Sequence, residues 1–175
     1  MRTPRLVLRH WRAADRAPFA AMNADPAVMA WFPARLTAAE SDALADAIEA
    51  HHRTHGFGLW ALEIPGVTPF AGFVGLSVPG FIAPFTPCVE IGWRLAAAHW
   101  GRGYASEAAR AALAHAWDVV GLDEVVSFTA TGNDRSRAVM ARIGMRYDPA
   151  DDFDHPKLPP GHPLRRHVLY RVARP

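Results

Sequence analysis

Trp100-Gly101-Arg102-Gly103-Tyr104-Ala105-Ser106-Glu107-Ala108 is the stretch that decides the fold of this 175-residue chain. It follows an apolar run, Val89 to Leu95, that is typical of a strand, and it opens an alanine-rich segment, Ala105 to Val120, that is typical of a helix. A glycine turn between strand and helix leaves N–H groups free at the positive end of the helix dipole, where phosphate binds. The two glycines let a ligand approach the main chain, and the arginine between them suits a phosphate. The stretch therefore predicts a pyrophosphate site.

Two better-known phosphate motifs are absent from this turn. It is not G-x-x-x-x-G-K-[ST], and it is not G-x-G-x-x-G followed by an acidic residue about 20 positions later. A P-loop nucleotidase and a Rossmann dehydrogenase are thereby disfavoured. On the two glycines alone, a purely structural strand-to-helix joint remains an alternative interpretation.

Two motifs in order resemble the GNAT N-acetyltransferase family. The first is its acetyl-CoA signature, Arg/Gln-x-x-Gly-x-Gly/Ala, which here has Trp100 at the first position and ends Gly103-Tyr104-Ala105. Preceded by Glu90-Ile91-Gly92-Trp93-Arg94-Leu95, it resembles the branch containing the Rim-type ribosomal-protein N-terminal acetyltransferases. About 30 residues further along, Asn133 to Met145 resembles a second motif of that branch. The resemblance extends from about Thr3 to Tyr147.

Strand-like and helix-like segments alternate along the chain, which favours one α+β three-layer domain over residues 1–175. The resemblance implies a GNAT fold: a mixed, mostly antiparallel sheet of six or seven strands, with helices on both faces. It also implies that the sheet splays between its fourth and fifth strands, where acetyl-CoA enters. Locally, Thr37-Ala38-Ala39-Glu40 predicts a capping box, Asp25 to Met29 a short helix, and Asp148 to Pro163 a long loop.

The implied reaction is direct transfer of an acetyl group from acetyl-CoA to a primary amine. Because an ammonium ion cannot attack a thioester, a base must take its proton or the site must lower its pKa. Glu90, on the strand that leads into the turn, is the candidate base. The alternative is a sheet-surface carboxylate paired with an arginine. Main-chain groups of Gly92 and Trp93 are candidate partners of the pantetheine arm or of the developing oxyanion.

Asn133 and Ser136 complete the set of candidate catalytic residues. In the family, the asparagine bonds the pantetheine arm or orients the thioester; an N-cap role is the alternative, since asparagine favours helix starts. The serine is expected to orient groups near the sulfur by hydrogen bonding. Met140 stands where many GNAT enzymes have a tyrosine acid, which leaves the proton donor open. The resemblance assigns cofactor binding to Ile91, Gly92, Trp93, Trp100, Gly101, Arg102, Gly103, Tyr104, Ala105, Asn133 and Ser136.

Composition limits the other classes of function. The net charge is +2 with one lysine, so no nucleic-acid partner is expected. A single cysteine excludes an internal disulfide, and no metal site is expected. No membrane segment or signal peptide is visible, so the expected location is cytoplasmic. The acceptor is the amine of a protein N-terminus or of a small molecule, and a homodimer is an open alternative to a monomer. A catalytically silent acyl-CoA-binding module is the second functional hypothesis.

Overall fold

A computed structural model describes residues 1–175, which form one mixed sheet with helices on both faces. The strand order is β1-β2-β3-β4-β5-β8-β6, with β7 also paired to β8. Every strand pair is antiparallel except β4 with β5. The strands are β1 Val7–Arg9, β2 Leu59–Ile64, β3 Thr68–Ser77, β4 Glu90–Leu95, β5 Glu124–Ala130, β6 Arg146–Tyr147, β7 Phe153–Asp154 and β8 Arg166–Ala173.

Four helices cover the sheet in two pairs. Helices α1 (Arg16–Ala24) and α2 (Ala38–His55) pack on one face, through a cluster that includes Phe19, Ala45 and Phe73. Helices α3 (Tyr104–His115) and α4 (Asp134–Arg142) pack on the other face, in the larger core cluster. We call these the α1/α2 face and the α3/α4 face of the sheet.

The sheet opens between β4 and β5. These parallel strands share a single register position, Glu90 opposite Val126, where the Val126 N–H donates to the Val89 carbonyl at 2.9 Å. Beyond that point β4 continues to Leu95 without pairing to β5. We call this opening the fork. Its edges carry unpaired main-chain groups, which a ligand can use in place of a neighbouring strand.

The predicted fold class is confirmed, with differences in detail. The sheet has eight strands rather than six or seven because the two-residue strands β6 and β7 both pair with β8. The segment 148–163, expected to be a loop, contributes β7 to the sheet. None of the helices is long and apolar enough to cross a membrane.

The predicted helix at Asp25 to Met29 is wrong. The Asp25 side chain accepts the N–H of Ala27 at 2.8 Å, and the Met29 N–H bonds to the Asp25 carbonyl, so the chain turns once and stops. A side chain that binds the backbone two residues on competes with helix formation. The segment instead buries Val28 and Met29 against the α1/α2 face.

Candidate active site

Glu90 lies at the point of the fork, with its side chain on the α1/α2 face. A Cβ placed on Gly92 would lie 3.8 Å from Glu90 Oε1 and would meet nothing else within 4 Å apart from its two chain neighbours, so the carboxylate lies beside open space above Gly92. The only hydrogen bond to the carboxylate comes from the Ser77 hydroxyl, at 3.5 Å. No arginine lies within ion-pairing distance of Glu90. Glu90 is therefore not a surface carboxylate paired with an arginine, which was the alternative interpretation.

The environment of Glu90 favours its neutral form. Desolvation raises the pKa of Glu90 to about 8, and the hydrogen bond from Ser77 offsets only part of that effect. A carboxyl group with a pKa near neutrality is suited to exchanging a proton with an amine. Its position at the fork places this group where β4 and β5 separate.

The turn before α3 has the geometry of an anion site. Gly101 and Gly103 adopt left-handed backbone conformations, with φ of 73° and 79°. The first N–H that bonds back into the turn is that of Glu107, which donates to the Gly103 carbonyl at 3.0 Å. The main-chain N–H groups of residues 101–106 donate to no acceptor within the protein. Free N–H groups at the start of a 12-residue helix fit a pyrophosphate.

The N-terminal segment braces this turn. The Glu107 carboxylate accepts hydrogen bonds from the Thr3 hydroxyl at 2.6 Å and from Arg5 Nε at 2.6 Å. Arg5 Nη1 also donates to the Arg102 carbonyl at 3.0 Å. Burial alone would raise the pKa of Glu107, but the hydrogen bonds from Thr3 and Arg5 lower it overall. Glu107 therefore stays ionised at neutral pH and holds the turn in place.

Main-chain groups of Trp93 face the fork, whereas those of Gly92 face β3. The Ala96 N–H bonds to the Ala71 carbonyl, and hydrogen-bonded pairs alternate along an antiparallel ladder. By this alternation Gly92 forms a hydrogen-bonded pair with Gly75 on β3. The N–H and C=O of Trp93, the next residue, therefore point away from β3 and toward the fork. The Trp93 N–H is thus the better placed of the two predicted donors. The Trp93 side chain packs against the α3/α4 core.

Asn133 and Ser136 lie at the start of α4, across the fork from β4. Asn133 is the N-cap: its Oδ1 accepts the Ser136 N–H at 3.3 Å, and its Nδ2 donates to Thr129 Oγ1 at 2.9 Å. Asn133 therefore has the N-cap role that was given as the alternative in the sequence analysis. The Ser136 hydroxyl makes no hydrogen bond within the protein, so it is free to meet a ligand. Met140 is a core residue, 1% exposed.

Arg135 and Trp100 join the two sides of the site. The Arg135 guanidinium lies 4.6 Å from the centroid of the Trp100 ring, and Trp100 Nε1 donates to the Leu95 carbonyl at 2.8 Å. The tryptophan that replaces the usual Arg/Gln thus packs under a cation supplied by α4. Of the predicted cofactor residues, Ile91 has its side chain in the core, so only its main chain lies along β4.

Three features near the site lie outside the predicted set of site residues. One is Arg94, which shares the α1/α2 face with Glu90. Another is Trp31, whose ring would lie 2.8 Å from a Cβ on Gly132, next to Asn133. The third is an aromatic cluster beyond β5. Alternation along β4 could have placed Arg94 beside Glu90, but the other two depend on long-range contacts. The aromatic cluster consists of Phe81, Phe85, Phe128, Phe153, His155 and His167.

Cys88 is not a nucleophile in this environment. It packs beside the aromatic cluster, and desolvation raises the pKa of its thiol to about 11. Thiolate is the reactive form, and it is scarce at neutral pH in such a site. A covalent acetyl-cysteine route therefore has no support from this residue.

Comparison with known proteins identifies the class of this protein. Residues 5–146 match the family model described as an acetyltransferase (GNAT) domain, so the chain belongs to the GNAT acetyltransferase family. It is an acyltransferase that uses acetyl-CoA as co-substrate. The free N–H groups and left-handed glycines of the turn before α3 fit the pyrophosphate of that molecule.

Two relatives are similar to this chain in sequence, and one of them is named as an acetyl coenzyme A transacetylase. The chain is 32% identical over 146 residues to YkkB of Bacillus subtilis strain 168, covering 83% of this chain and 84% of that protein. It is 35% identical over 115 residues to an FsC-acetyl coenzyme A-N(2)-transacetylase of Aspergillus fumigatus, covering 58% of this chain and 48% of that enzyme.

The structure is also similar to RimJ of Mycobacterium smegmatis, solved with CoA disulfide. The TM-score is 0.77 at 21% identity, over 96% of this chain and 81% of that one. At this identity the likeness concerns the fold, and at that level the predicted Rim-like resemblance is confirmed.

Proposed function

We propose that this protein transfers an acetyl group directly from acetyl-CoA to the primary amine of a protein N-terminus or a small molecule, with Glu90 as the base. The observation that carries the proposal is the Glu90 carboxyl at the point of the fork, desolvated and without a counter-ion. The Aspergillus relative, named for transfer at an N(2) position, supports a nitrogen acceptor.

Several residues would position the reactants. The main-chain N–H groups of residues 101–106 bind the pyrophosphate, while Asn133 and Ser136 contact the pantetheine end. Acetyl-CoA supplies the acetyl group as a thioester. The Trp93 N–H donates to the carbonyl oxygen as negative charge develops there, and a fixed donor of this kind is a large source of rate enhancement.

The proton balance needs one base and no tyrosine. Ionised Glu90 takes a proton from the ammonium form of the acceptor, and the neutral nitrogen forms the new C–N bond as the C–S bond breaks. The second proton that the nitrogen loses is taken up by the departing sulfur. This accounts for a buried methionine at position 140, where a side-chain acid would otherwise be expected.

The first test is turnover of acetyl-CoA against N-terminal peptides, polyamines, amino acids and aminoglycosides. We expect turnover on one acceptor class, and a loss of kcat/KM of about 10²-fold or more in Glu90→Gln, as for removal of a general base. Since Glu90 must be ionised, kcat/KM should rise with pH through about 8. If the acceptor amine has a low pKa, its own titration does not overlap that of Glu90, and the two effects on kcat/KM can be distinguished. Unchanged activity in Glu90→Gln would remove Glu90 from the mechanism.

A matched pair of glycine variants tests the phosphate turn. Gly103 and Gly144 both have positive φ, 79° and 88°, but only Gly103 belongs to the turn. Both alanine variants should lose similar stability, because both strain the backbone. Only Gly103→Ala should weaken CoA binding, by at least about tenfold. CoA binding without turnover on any acceptor would favour the silent binding module, and equal CoA affinity in the two variants would contradict the assigned turn.

A further inference from the structure

Arg94 is a second charged residue on the α1/α2 face of β4. Its Nη1 donates to Asn23 Oδ1 of α1 at 2.5 Å. Its guanidinium carbon lies 4.0 Å from the centroid of the Phe32 ring and 5.4 Å from that of Phe73. The side chain is thus held in one orientation by a neutral amide and two aromatic rings.

This cation has no carboxylate partner. No Asp or Glu oxygen lies within 4.0 Å of it, and its Nε is buried without a hydrogen-bond acceptor. Desolvation lowers the pKa of Arg94 to about 10. Arg9, on the same face of the sheet, shows the usual arrangement: it pairs with Asp15 at 2.7 Å and with Glu63 at 2.9 Å. Charges removed from water are normally paired, so an unpaired one suggests an anionic ligand.

One edge of the guanidinium remains available. Nη2 makes no hydrogen bond within the protein and, unlike Nε, remains accessible to solvent. An arginine has five N–H donors in a fixed plane, a geometry that matches a carboxylate. The single bond to Asn23 therefore leaves donors for an incoming anion.

Glu90 and Arg94 lie on the same side of β4, on either side of the open position above Gly92. They are four residues apart on the same side of β4, which corresponds to about 14 Å between Cα atoms in an extended strand. The Glu90 carboxylate lies beside Gly92, toward Arg94, which shortens the separation of the charged groups. Gly92 has no side chain and leaves the floor open between them. An acceptor about two residues long would span the distance between the two charged groups.

We propose that Arg94 is a specificity residue that binds a carboxylate of the acceptor, while the acceptor amine meets Glu90. This inference rests on the proposed amine acetylation and names its substrate class: a primary amine with a carboxylate one or two residues away. Two sources share that chemistry, an acidic side chain near a peptide N-terminus and a free small aminocarboxylate.

The test compares acids with their amides on the wild-type protein. Probes are C-terminally amidated hexapeptides with Glu at position 2 or 3, their Gln counterparts, and free dipeptides with their C-terminal amides. Binding is measured by calorimetry with CoA present, and kcat and KM are measured with acetyl-CoA. We expect the acid of a pair to bind at least about tenfold more tightly than its amide. The pair that responds identifies whether the carboxylate comes from a side chain or a chain end.

Variants separate recognition from structural support. Arg94→Gln should reduce the acid-to-amide preference to less than about twofold, through KM for the acid and with little change in kcat for the amide. Arg53→Gln, an equal charge change on exposed α2, should keep the preference. A purely structural role would lower the thermal stability and affect acid and amide alike, which overturns the proposal.

The wild-type binding data decide the inference even if Arg94→Gln does not fold. Equal binding of acid and amide, or binding of neither, overturns it whatever the turnover results are. Turnover without a preference for the acid leaves the acetylation proposal standing and removes only the role of Arg94. Preferential binding of acids without turnover supports carboxylate recognition by Arg94 and contradicts the proposed acetylation of an amine.

Discussion

Two acidic side chains on the α1/α2 face show how environment sets the role of a residue. Asp15 is 2% exposed, yet it accepts hydrogen bonds from both Nη atoms of Arg9, at 2.7 and 2.8 Å, and from the Arg12 N–H at 2.8 Å. Glu90 has only the 3.5 Å contact with Ser77. The Asp15 carboxylate is thus paired with a cation, whereas Glu90 has no charged partner and desolvation raises its pKa to about 8.

Glu90 should make the stability of the fold fall as pH rises. Its pKa is raised from 4.5 to about 8, so the folded state binds its proton more tightly than the unfolded state between those values. The stabilisation of Glu90→Gln relative to wild type should therefore grow from pH 4.5 to 8 and then level off. We expect growth of more than about 1.4 kcal/mol, the equivalent of one pKa unit. Urea unfolding across this pH range measures it.

Glu40→Gln is the control for this pH dependence. Hydrogen bonds from the Thr37 N–H and hydroxyl lower the pKa of Glu40, so its contribution is present above its unfolded pKa and lost as pH falls. Relative to wild type, the free energies of unfolding of Glu90→Gln and Glu40→Gln should change in opposite directions with pH. A pH-independent difference between Glu90→Gln and wild type would contradict the desolvated state of Glu90.

Among the elements, α2 is the one whose ends are most fully specified by local sequence. Thr37 Oγ1 accepts the Glu40 N–H at 3.3 Å, and Glu40 Oε2 accepts the Thr37 N–H at 2.8 Å, which forms the predicted capping box. Gly56 ends the helix with a φ of 74°. Because these contacts join residues a few positions apart, they could be predicted without knowledge of the fold.

Thr37→Ala should lower the free energy of unfolding by about 1 kcal/mol, because an N-cap acceptor is lost from the start of α2. Urea denaturation measures the change. Thr54→Ala, at an exposed position in the last turn of the same helix, should be neutral or slightly stabilising because alanine has the higher helix propensity. A loss at Thr54 as large as that at Thr37 would show that the cap is not the cause.

At the scale of the whole molecule, long-range contacts close the site around the fork. The segment between α1 and α2 places Phe32 on Arg94 of β4 and Trp31 on Gly132 beyond β5. On the other side, Phe153 of β7 packs against Phe85 and Phe128, with ring centroids 4.7 and 5.6 Å away. The segment 148–163 is thereby fixed beside the fork by aromatic packing.

Phe153→Ala should release this segment from the sheet. Phe153 is 7% exposed, and truncating a buried phenylalanine costs about 3–5 kcal/mol. Hydrogen exchange should increase in residues 149–158, while β1 to β3 keep their protection. Val119→Ala, at a position 70% exposed, should change stability by less than about 0.5 kcal/mol. An increase in exchange spread evenly over the sheet would contradict local anchoring by the cluster.

The sequence alone determined the turn before α3, the ends of α2 and the position of Glu90 on the strand before that turn. These features depend on glycine conformation, capping and alternation, which act over a few residues. The environment of the charges was decided by tertiary structure. Arg94 meets Asn23 from 71 positions away, and Glu90 lacks a counter-ion because no distant segment brings a cation to it, whereas Arg9 on β1 pairs with Asp15 and Glu63. Desolvation and ion pairing depend on which distant segments meet, so only the folded chain sets them.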